Sequence, residues 1–234
     1  MSGVQGRVAV VTGAFGALGS AVARKFRAAG VTVASIGRAP ASAALAAEFT
    51  APHVLLSSVD LTSIEEAGKA ITAVAARTSR IDALINVAGG FRWQTLEGGD
   101  VATWDLMFST NLKTAVVASK AALPYLLKSG RGRIVNIGAA AAAAAGAGMG
   151  AYTASKAGVE RLTESLAAEL AGHDVTVNAI LPGIIDTPRN RADMPDADTR
   201  GWVQPDAIAD VVLFLISDQA RAVNGASIRV VGRG

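Results

Sequence analysis

Short apolar runs alternate along the chain with longer segments in which apolar and polar positions recur at helical spacing. The runs are rich in β-branched residues and mostly apolar at both alternating positions, as expected of strands that are covered on both faces. They lie at 7–12, 31–36, 53–58, 82–87, 132–137, 175–180 and 227–231. The pattern therefore predicts seven buried strands.

Helices are predicted between these strands. They lie near 17–29, 41–48, 62–78, 100–128, 151–172 and 205–218. Residues that cap helix N-termini stand at several starts, such as Asp100, and Thr62 with Glu65 three positions later. Strand–helix–strand repetition implies right-handed crossovers between parallel strands. We therefore expect one α/β domain over 1–234, with a doubly wound, mostly parallel seven-stranded sheet and helices on both faces.

One connection does not fit the short loops of such a fold. The segment 188–204, "PRNRADMPDADTRGWVQ", is polar and contains two prolines and a glycine. Structureless segments of this length inside a domain are often lids over a site or disordered. We expect 188–204 to be a substrate loop.

Composition narrows the chemistry that the chain can perform. Hydrophobic residues make up 51% of the chain and charged residues 18%, which is enough for a large core. The absence of cysteine excludes a disulfide framework, a thiolate zinc site and a cysteine nucleophile. The two histidines, His53 and His173, are far apart, and no metal site is expected. The net charge of +3 is spread along the chain, so no nucleic-acid partner is expected.

One uncharged stretch, from Ile134 to Ser155, is long enough to span a bilayer. Alanine is only weakly apolar, however, and Asn136, several glycines and Tyr152 interrupt the stretch, so a transmembrane helix is not expected. Glycine also breaks the first apolar run, which argues against a secretory signal. We expect a cytoplasmic protein that does not bind membranes.

Three glycines follow the first predicted strand, where a helix begins. Gly13, Gly16 and Gly19 would allow a tight turn that presents backbone N–H groups and a helix N-terminus to a pyrophosphate. The same glycines could instead serve only a strand–helix turn that needs positive φ. Their position after the first strand of an alternating α/β chain favours dinucleotide binding.

The end of the second strand bears on the choice of cofactor. In dinucleotide folds an acid there binds a ribose 2′-hydroxyl, whereas an arginine accommodates a 2′-phosphate. Here the strand ends "VASIGRAP", so Gly37 leaves space and Arg38 supplies positive charge. This predicts NADPH, with NADH as the alternative cofactor. Arg38 could also be an ordinary solvated residue.

Tyr152 and Lys156 stand four positions apart at the start of a predicted helix, which places them on one face. A cation close to a phenol stabilises the phenolate and lowers the tyrosine pKa from its ordinary value of ~10. Such a tyrosine is suited to acid–base catalysis near neutral pH.

Over nearly its whole length the sequence resembles the short-chain dehydrogenase/reductase family, whose members have a Rossmann fold. The family's motifs occur in order: "TGAFGALG" (12–19), Asp60, "NVAG" (86–89), Asn111, "YTASK" (152–156) and "PGIIDT" (182–187). The resemblance implies that Tyr152 donates the proton, Lys156 binds the nicotinamide ribose and tunes Tyr152, and Asn111 holds a water of the proton relay. It also implies a small-molecule substrate and a homodimer or homotetramer built on the helices near 100–128 and 151–172.

The resemblance further implies a set of cofactor-binding residues along the carboxyl ends of the strands. The set is Gly13, Phe15, Gly16, Ala17, Leu18, Gly19, Arg38, Asp60, Leu61, Asn86, Ala88, Gly89, Tyr152, Lys156, Pro182, Gly183, Ile185 and Thr187.

Two positions depart from the family pattern. Ala17 replaces the middle glycine of the phosphate loop, where a methyl group would crowd the pyrophosphate. Ala139 replaces a serine that hydrogen-bonds the substrate carbonyl, and no Ser or Thr occurs from Gly138 to Ala151. Losing such a donor typically costs ~2.7–4 kcal/mol of transition-state stabilisation. Either the protein is a poor ketoreductase, or its substrate does not need that hydroxyl.

Several further features resemble the dihydropteridine reductase branch of the family. They are "GALG", "VASI", "VAGG" followed by Phe91 and Trp93, the missing serine, "GMGAY" and the segment 181–202. This resemblance implies reduction of a small planar acceptor, quinonoid dihydropterin, with Tyr152 as the acid. The predicted substrate residues are Ala139, Trp93, Met149 and Trp202, although each tryptophan could instead be core or subunit packing.

Gly37 with Arg38 departs from that branch, which has an acid at the strand end and uses NADH, and Asn111 is a feature of ordinary family members. Two alternatives therefore stay open: a general carbonyl or quinone reductase, and a weakly catalytic NADPH-binding regulatory protein.

Overall fold

A seven-stranded sheet forms the centre of the computed structural model, which describes residues 3–232. The strands follow the order β3-β2-β1-β4-β5-β6-β7, and every neighbouring pair is parallel. They are β1 Val8–Thr12, β2 Thr32–Ile36, β3 Val54–Leu56, β4 Ala83–Asn86, β5 Gly132–Ile137, β6 Val175–Pro182 and β7 Ser227–Val230. All seven predicted strands are confirmed, and the sheet is wholly rather than mostly parallel.

Helices cover both faces of the sheet, as a doubly wound fold requires. They are α1 Ala17–Ala28, α2 Ala43–Glu48, α3 Ile64–Thr78, α4 Val101–Met107, α5 Thr114–Ser129, α6 Gly150–Glu169, α7 Pro188–Asp193 and α8 Pro205–Leu215. Within β1, Val11 packs into a core with α1 and α8, whereas Val10 packs into a second core with α3 and α5. Alternate strand residues therefore serve opposite layers.

The helix predicted at 100–128 is divided into α4 and α5 by a π-helical segment, Phe108–Lys113. Asp100 caps α4 as predicted, because its carboxylate accepts from Ala102 N at 2.9 Å. The predicted cap of α3 at Thr62 is wrong by one residue. Ser63 caps that helix, since the Thr62 hydroxyl donates to Asp60 Oδ1 at 2.8 Å.

The segment 188–204 is not structureless, because it begins with α7. Thr187 Oγ1 caps this helix by accepting from Asn190 N at 3.1 Å, and Pro188 occupies the first turn. The end of the segment pairs with the residues just before its start, through a parallel bridge between Ile185 and Val203. Asp186 N donates to Val203 O at 2.8 Å. The expected long loop is thus an ordered segment that is closed at its base.

The uncharged stretch from Ile134 to Ser155 folds as most of β5, a short 3₁₀ turn at Ala140–Ala143 and the start of α6. Within residues 3–232, no helix combines the length and the apolar character needed to cross a membrane.

A buried carboxylate joins the start of β4 to two neighbouring segments. Asp82 is fully buried, and its Oδ2 accepts from Val8 N at 2.9 Å and from Arg80 Nε at 2.9 Å. Its Oδ1 also accepts from Arg131 Nε at 3.3 Å. This cluster stabilises the amino-terminal edge of the sheet and leaves the carboxyl-terminal edge free for the predicted site residues.

Candidate active site

The glycine-rich turn after β1 is shaped by close backbone packing. Gly13 has φ of +61°, and a Cβ on it would lie 2.8 Å from Ala88 Cα. A Cβ on Gly19 would lie 2.7 Å from Ala14 Cα. Packing alone thus accounts for these two glycines. It does not account for Gly16, whose Cβ would meet only Gly13 O, at 3.5 Å.

The N-terminus of α1 is available to an anion. Gly16 occupies the N-cap position without a capping side chain, and the first turn contains no acidic residue. The first N–H groups of a helix lack intrahelical acceptors, and its N-terminus is the positive end of the dipole. Ala17 is exposed, while the Leu18 side chain lies in the core, so Leu18 can reach a cofactor only through its backbone. These residues fit a pyrophosphate.

The space predicted at Gly37 is filled by the side chain of Phe15. A Cβ on Gly37 would lie 2.8 Å from Phe15 Cε2, so the phenyl ring covers this glycine. Arg38 follows with an exposed side chain. The expectation of open space was wrong because residue 15 belongs to a different turn, which folds back over the end of β2.

Asp60 lies near two cations at the same end of the site. Its pKa is held below the ordinary value by hydrogen bonds from Thr62, and additionally by the charges of Arg38 and Lys113. Thr62 N donates to Asp60 Oδ1 at 2.9 Å. Leu61, beside it, is buried in the core. This end of the site therefore combines one hydrogen-bonded carboxylate with two positive charges.

The turn after β4 is held by Thr12 at the end of β1. Thr12 Oγ1 accepts from Val87 N at 3.1 Å and from Ala88 N at 3.2 Å. Asn86 does not line an open surface. Its Nδ2 donates to Asn136 Oδ1 at 2.8 Å and to Ser119 Oγ at 3.1 Å, inside the protein. The Asn86 side chain therefore supports the turn from beneath.

The predicted 182–187 residues continue the same edge of the sheet. Pro182 ends β6, and Gly183 N donates to Val230 O at 3.0 Å. Ile185 forms the bridge to Val203, and Thr187 caps α7. Because all strands are parallel, this segment and the turns after β1 and β4 lie along one carboxyl-terminal edge.

Lys156, Asn111 and Gly89 converge at the chemical end of the site. A Cβ on Gly89 would lie 3.4 Å from Lys156 Nζ and 2.9 Å from Asn111 Oδ1. Lys156 is only 5% exposed, and its Nζ donates to Ile137 O at 2.7 Å. Burial lowers the pKa of Lys156 to about 8. Any side chain larger than hydrogen at position 89 would crowd these two groups.

The predicted lowering of the Tyr152 pKa was wrong for this structure. Burial raises the pKa of Tyr152 to about 12, because the phenolate loses hydration and gains no compensating charge. The Lys156 ammonium donates to Ile137 O rather than to the phenol. Tyr152 is therefore protonated at neutral pH, which suits a proton donor in a reduction.

Asn111 forms hydrogen bonds to two segments outside its own helix. Its Oδ1 accepts from Gly90 N at 2.7 Å, and its Nδ2 donates to Ser155 Oγ at 2.9 Å. Ser155 Oγ in turn donates to Tyr152 O at 2.7 Å. The π-helical segment that contains Asn111 is thus joined to the first turns of α6, where Tyr152 and Lys156 lie.

Comparison with known proteins agrees with this arrangement. The family model described as short chain dehydrogenase matches residues 7–198, which is most of the chain. The chain belongs to the short-chain dehydrogenase family. The expected family fold and oxidoreductase class are thereby confirmed.

Relatives of this short-chain dehydrogenase cover the chain almost completely. An uncharacterized oxidoreductase of Staphylococcus epidermidis is 31% identical over 99% of this chain and 100% of its own length. The 3-oxoacyl-(acyl-carrier-protein) reductase of Vibrio harveyi is 32% identical over 98% of this chain and 97% of its own. The solved structure of a short-chain type dehydrogenase/reductase from Mycobacterium ulcerans is 29% identical, with a TM-score of 0.88 over 97% of this chain and 88% of that one.

The predicted substrate residues of this short-chain dehydrogenase occupy different environments. Ala139, 5% exposed, lies between β5 and the 3₁₀ turn Ala140–Ala143, and Met149 is the half-buried N-cap of α6. Trp202 is only 7% exposed, so both of its faces are covered and it is not a platform for substrate. Trp93 is 61% exposed, but its Nε1 donates to Ala147 O at 3.0 Å. The core-packing alternative therefore holds for Trp202 and not for Trp93.

Sequence reasoning missed Ser155 and underrated Phe91 in this short-chain dehydrogenase. Ser155 is fully buried between Asn111 and Tyr152, although a serine inside a helix carries no distinctive signal. The ring of Phe91 packs edge-on against Tyr152. The sequence did contain a signal for Phe91, because an aromatic residue soon after the fourth strand is expected at the same edge of the sheet as the tyrosine.

Proposed function

We propose that the protein is an NADPH-dependent reductase that transfers a hydride to a small planar acceptor, with quinonoid dihydropterin as the favoured substrate. The observation that carries this proposal is a Tyr152 phenol that stays protonated at neutral pH, together with a buried Ala139 at the position where the family resemblance puts a carbonyl-binding hydroxyl. A bound reduced nicotinamide supplies the hydride. Tyr152 Oη supplies the proton, so the acceptor gains two electrons and two hydrogens in all.

A planar heterocycle explains why the missing hydroxyl is tolerated. Hydride addition to an electron-poor ring spreads charge over several atoms, whereas reduction of a ketone concentrates it on one oxygen. Ala139 to Ala142 carry no polar side-chain atoms, and the ring of Phe91 is partly exposed next to Tyr152. These groups can contact a flat ring by van der Waals packing.

The test is oxidation of NADPH with freshly generated quinonoid dihydropterin, compared with a panel of ketones, aldehydes and quinones. We expect kcat/KM for the pterin to exceed that for every carbonyl compound. If folded protein that binds NADPH shows no pterin turnover above background, the substrate assignment is wrong.

The second candidate is a general carbonyl or quinone reductase. It is favoured by the relative from Vibrio harveyi, which is named for reduction of a 3-oxoacyl group. A third candidate, a weakly catalytic regulatory protein, would be indicated by tight NADPH binding without oxidation by any acceptor. Retention of Tyr152, Lys156 and Asn111 argues against this third candidate.

Ala139→Ser separates the first two candidates. Restoring the hydroxyl should raise ketone turnover by ~10-fold or more, since one such donor is worth ~10²–10³ in kcat when its geometry is right. Pterin turnover should not rise. Steady-state kinetics on both substrates measures this, with Ala143→Ser as a matched control because Ala143 is exposed in the same run. An unchanged ketone rate would count against a carbonyl-reducing pocket.

Arg38→Asp tests the choice of NADPH. We expect the ratio of NADPH affinity to NADH affinity to fall by about 10- to 100-fold, the range for losing a hydrogen bond to a charged group. Fluorescence titration with each nucleotide measures it. Position 38 is the cleaner site for this test, because a side chain at Gly37 would also displace Phe15.

Arg77→Asp is the matched control for the cofactor experiment. Arg77 is exposed in the last turn of α3, which leads to the amino-terminal edge of the sheet. It should leave the affinity ratio unchanged. An equal ratio in Arg38→Asp and the parent protein would mean that Arg38 is an ordinary solvated residue.

We also propose that the protein forms a homodimer or homotetramer through the outer face of α4, the π-helical segment and α5. Exposed Phe108 and Val116 line a groove of about 450 Å³ together with Asp105 and Lys113. Apolar and oppositely charged side chains on one face can pair with a second copy. Light scattering gives the subunit number.

A further inference from the structure

The ring of Phe91 covers part of the catalytic tyrosine. The Phe91 and Tyr152 ring centroids lie 5.0 Å apart at an interplanar angle of 83°, an edge-to-face contact. Phe91 is also 46% exposed, so its ring has one side against Tyr152 and another that faces outward. A side chain in this position shields part of the Tyr152 ring, and its outward side is available to a substrate.

The backbone on both sides of Phe91 is fixed. Before it, Gly90 N donates to Asn111 Oδ1 at 2.7 Å. After it, Trp93 Nε1 donates to Ala147 O at 3.0 Å, and Gln94 N donates to Gly148 O at 2.9 Å.

The Trp93 ring lies so close to Gly148 that a Cβ there would approach Trp93 Cζ2 to 2.7 Å. We call the contact of 91–94 with 147–148 the aromatic clasp. It joins the turn after β4 to the segment that leads into the catalytic helix, and Phe91 lies between these anchors and the catalytic residues.

We propose that Phe91, held by the aromatic clasp, is a positioning residue that excludes water from the Tyr152 phenol and provides the apolar face against which a planar acceptor packs. The second part rests on the proposed function. The first part does not, because it concerns only the two rings and the solvent.

Water exclusion accounts for the direction of the Tyr152 pKa shift in this structure. Burial is what raises its pKa to about 12. The charged groups on the surrounding elements are Lys156 on α6, Arg92 beside Phe91, Asp105 on α4 and Lys113 on the π-helical segment, and none of them contributes to the shift. Lys156 donates to Ile137 O, and Arg92 is exposed and donates to Phe91 O. Removing the Phe91 ring should therefore act through hydration of the phenol.

The chain allows a direct spectroscopic test, because it contains two tyrosines, Tyr125 and Tyr152. In a Tyr125→Phe background, the ultraviolet absorbance of phenolate reports Tyr152 alone. Phe91→Ala should lower the titration midpoint toward the ordinary value of ~10, so that at about pH 11 most of the phenol is ionised. Phe91→Leu keeps an apolar cover and should stay close to the Tyr125→Phe parent. Equal midpoints in Phe91→Ala and that parent would overturn the proposal.

Two further variants test the clasp and the acceptor face. Trp93→Phe keeps a ring but removes the donor to Ala147 O, so its Tyr152 midpoint should fall between those of the parent and Phe91→Ala. A midpoint equal to the parent's would mean that the clasp does not hold Phe91.

With an active acceptor, Phe91→Leu should raise the acceptor KM several-fold with little change in kcat, since the flat face is lost while the cover remains. An unchanged KM would overturn the acceptor-face part. If no acceptor is ever turned over, the proposed function fails, and the tyrosine titration still decides the role of Phe91.

Discussion

Tyr152→Phe should lower kcat by about 10²–10⁴-fold, the range associated with losing a general acid. The substitution removes the hydroxyl that supplies the proton and keeps the ring that packs against Phe91 at 5.0 Å. NADPH affinity should fall far less than kcat. Steady-state turnover together with nucleotide titration separates the loss of chemistry from a loss of binding.

Tyr125→Phe is the matched control for this experiment. The Tyr125 hydroxyl lies 3.3 Å from Thr72 Oγ1, on α5 and α3 and away from the catalytic residues. This variant should retain the parental kcat. Parental turnover in Tyr152→Phe would instead show that another group delivers the proton, and the assigned mechanism would be wrong.

Asp82→Ala should lower the free energy of unfolding by about 3 kcal/mol, the lower end of the range for removing one member of a buried ion pair. The buried carboxylate accepts from Val8 N at 2.9 Å and pairs with Arg80 and Arg131. The substitution leaves the Val8 N–H without its acceptor. The two arginines are partly exposed and can turn to water, which keeps the loss from being larger.

Urea unfolding measures the loss, and Asp193→Ala is the matched control. Asp193 forms an exposed pair with Arg189 at 3.3 Å, one helical turn away, and such pairs contribute ~0.5 kcal/mol or less. Similar losses in the two variants would mean that the Asp82 cluster contributes no more to stability than a surface pair.

The strands, the parallel sheet and the spacing of Tyr152 and Lys156 were predictable because they depend on local patterns. The strand Val8–Thr12 is mostly apolar at both alternating positions, as expected where both faces of a strand are covered. A spacing of four places two side chains on one helix face whatever the rest of the protein does. Family resemblance then located Asn111, which local patterns alone would not have found.

The features that could not be predicted depend on contacts between distant segments. Phe15 covers Gly37 although they belong to different turns, and Trp202 is buried by groups that no local pattern identifies. The direction of the Tyr152 pKa shift depends on where Lys156 donates, and that acceptor is Ile137 O. The sequence spacing places Tyr152 and Lys156 on one helix face, but it does not identify the hydrogen-bond partner of either side chain.

A buried polar group inside a strand was the signal that could have revealed more. Asn136 interrupts the apolar run of β5, and its Nδ2 donates to Thr163 Oγ1 on α6 at 2.9 Å. With its bond to Asn86, it connects two neighbouring strands to α6, the helix that contains Tyr152 and Lys156. A polar residue in an otherwise apolar strand needs a partner, so its presence predicts such a connection.

The π-helical segment Phe108–Lys113 joins α4 to α5 without a break. It changes the direction in which the side chains of α5 point relative to those of α4, so the two parts of the helix differ in phase. Each residue of an α-helix advances by ~100°, so the one extra residue in a π turn rotates everything that follows relative to what came before. Within the π-helical segment, the helix is oriented by Asn111 and its bonds to Gly90 and Ser155. Beyond it, the helix is oriented by Ala118 and Leu126 in the core. Deleting a single residue here would bring the two halves into one phase, and the chain would then lose either the contacts of Asn111 or the core packing of α5.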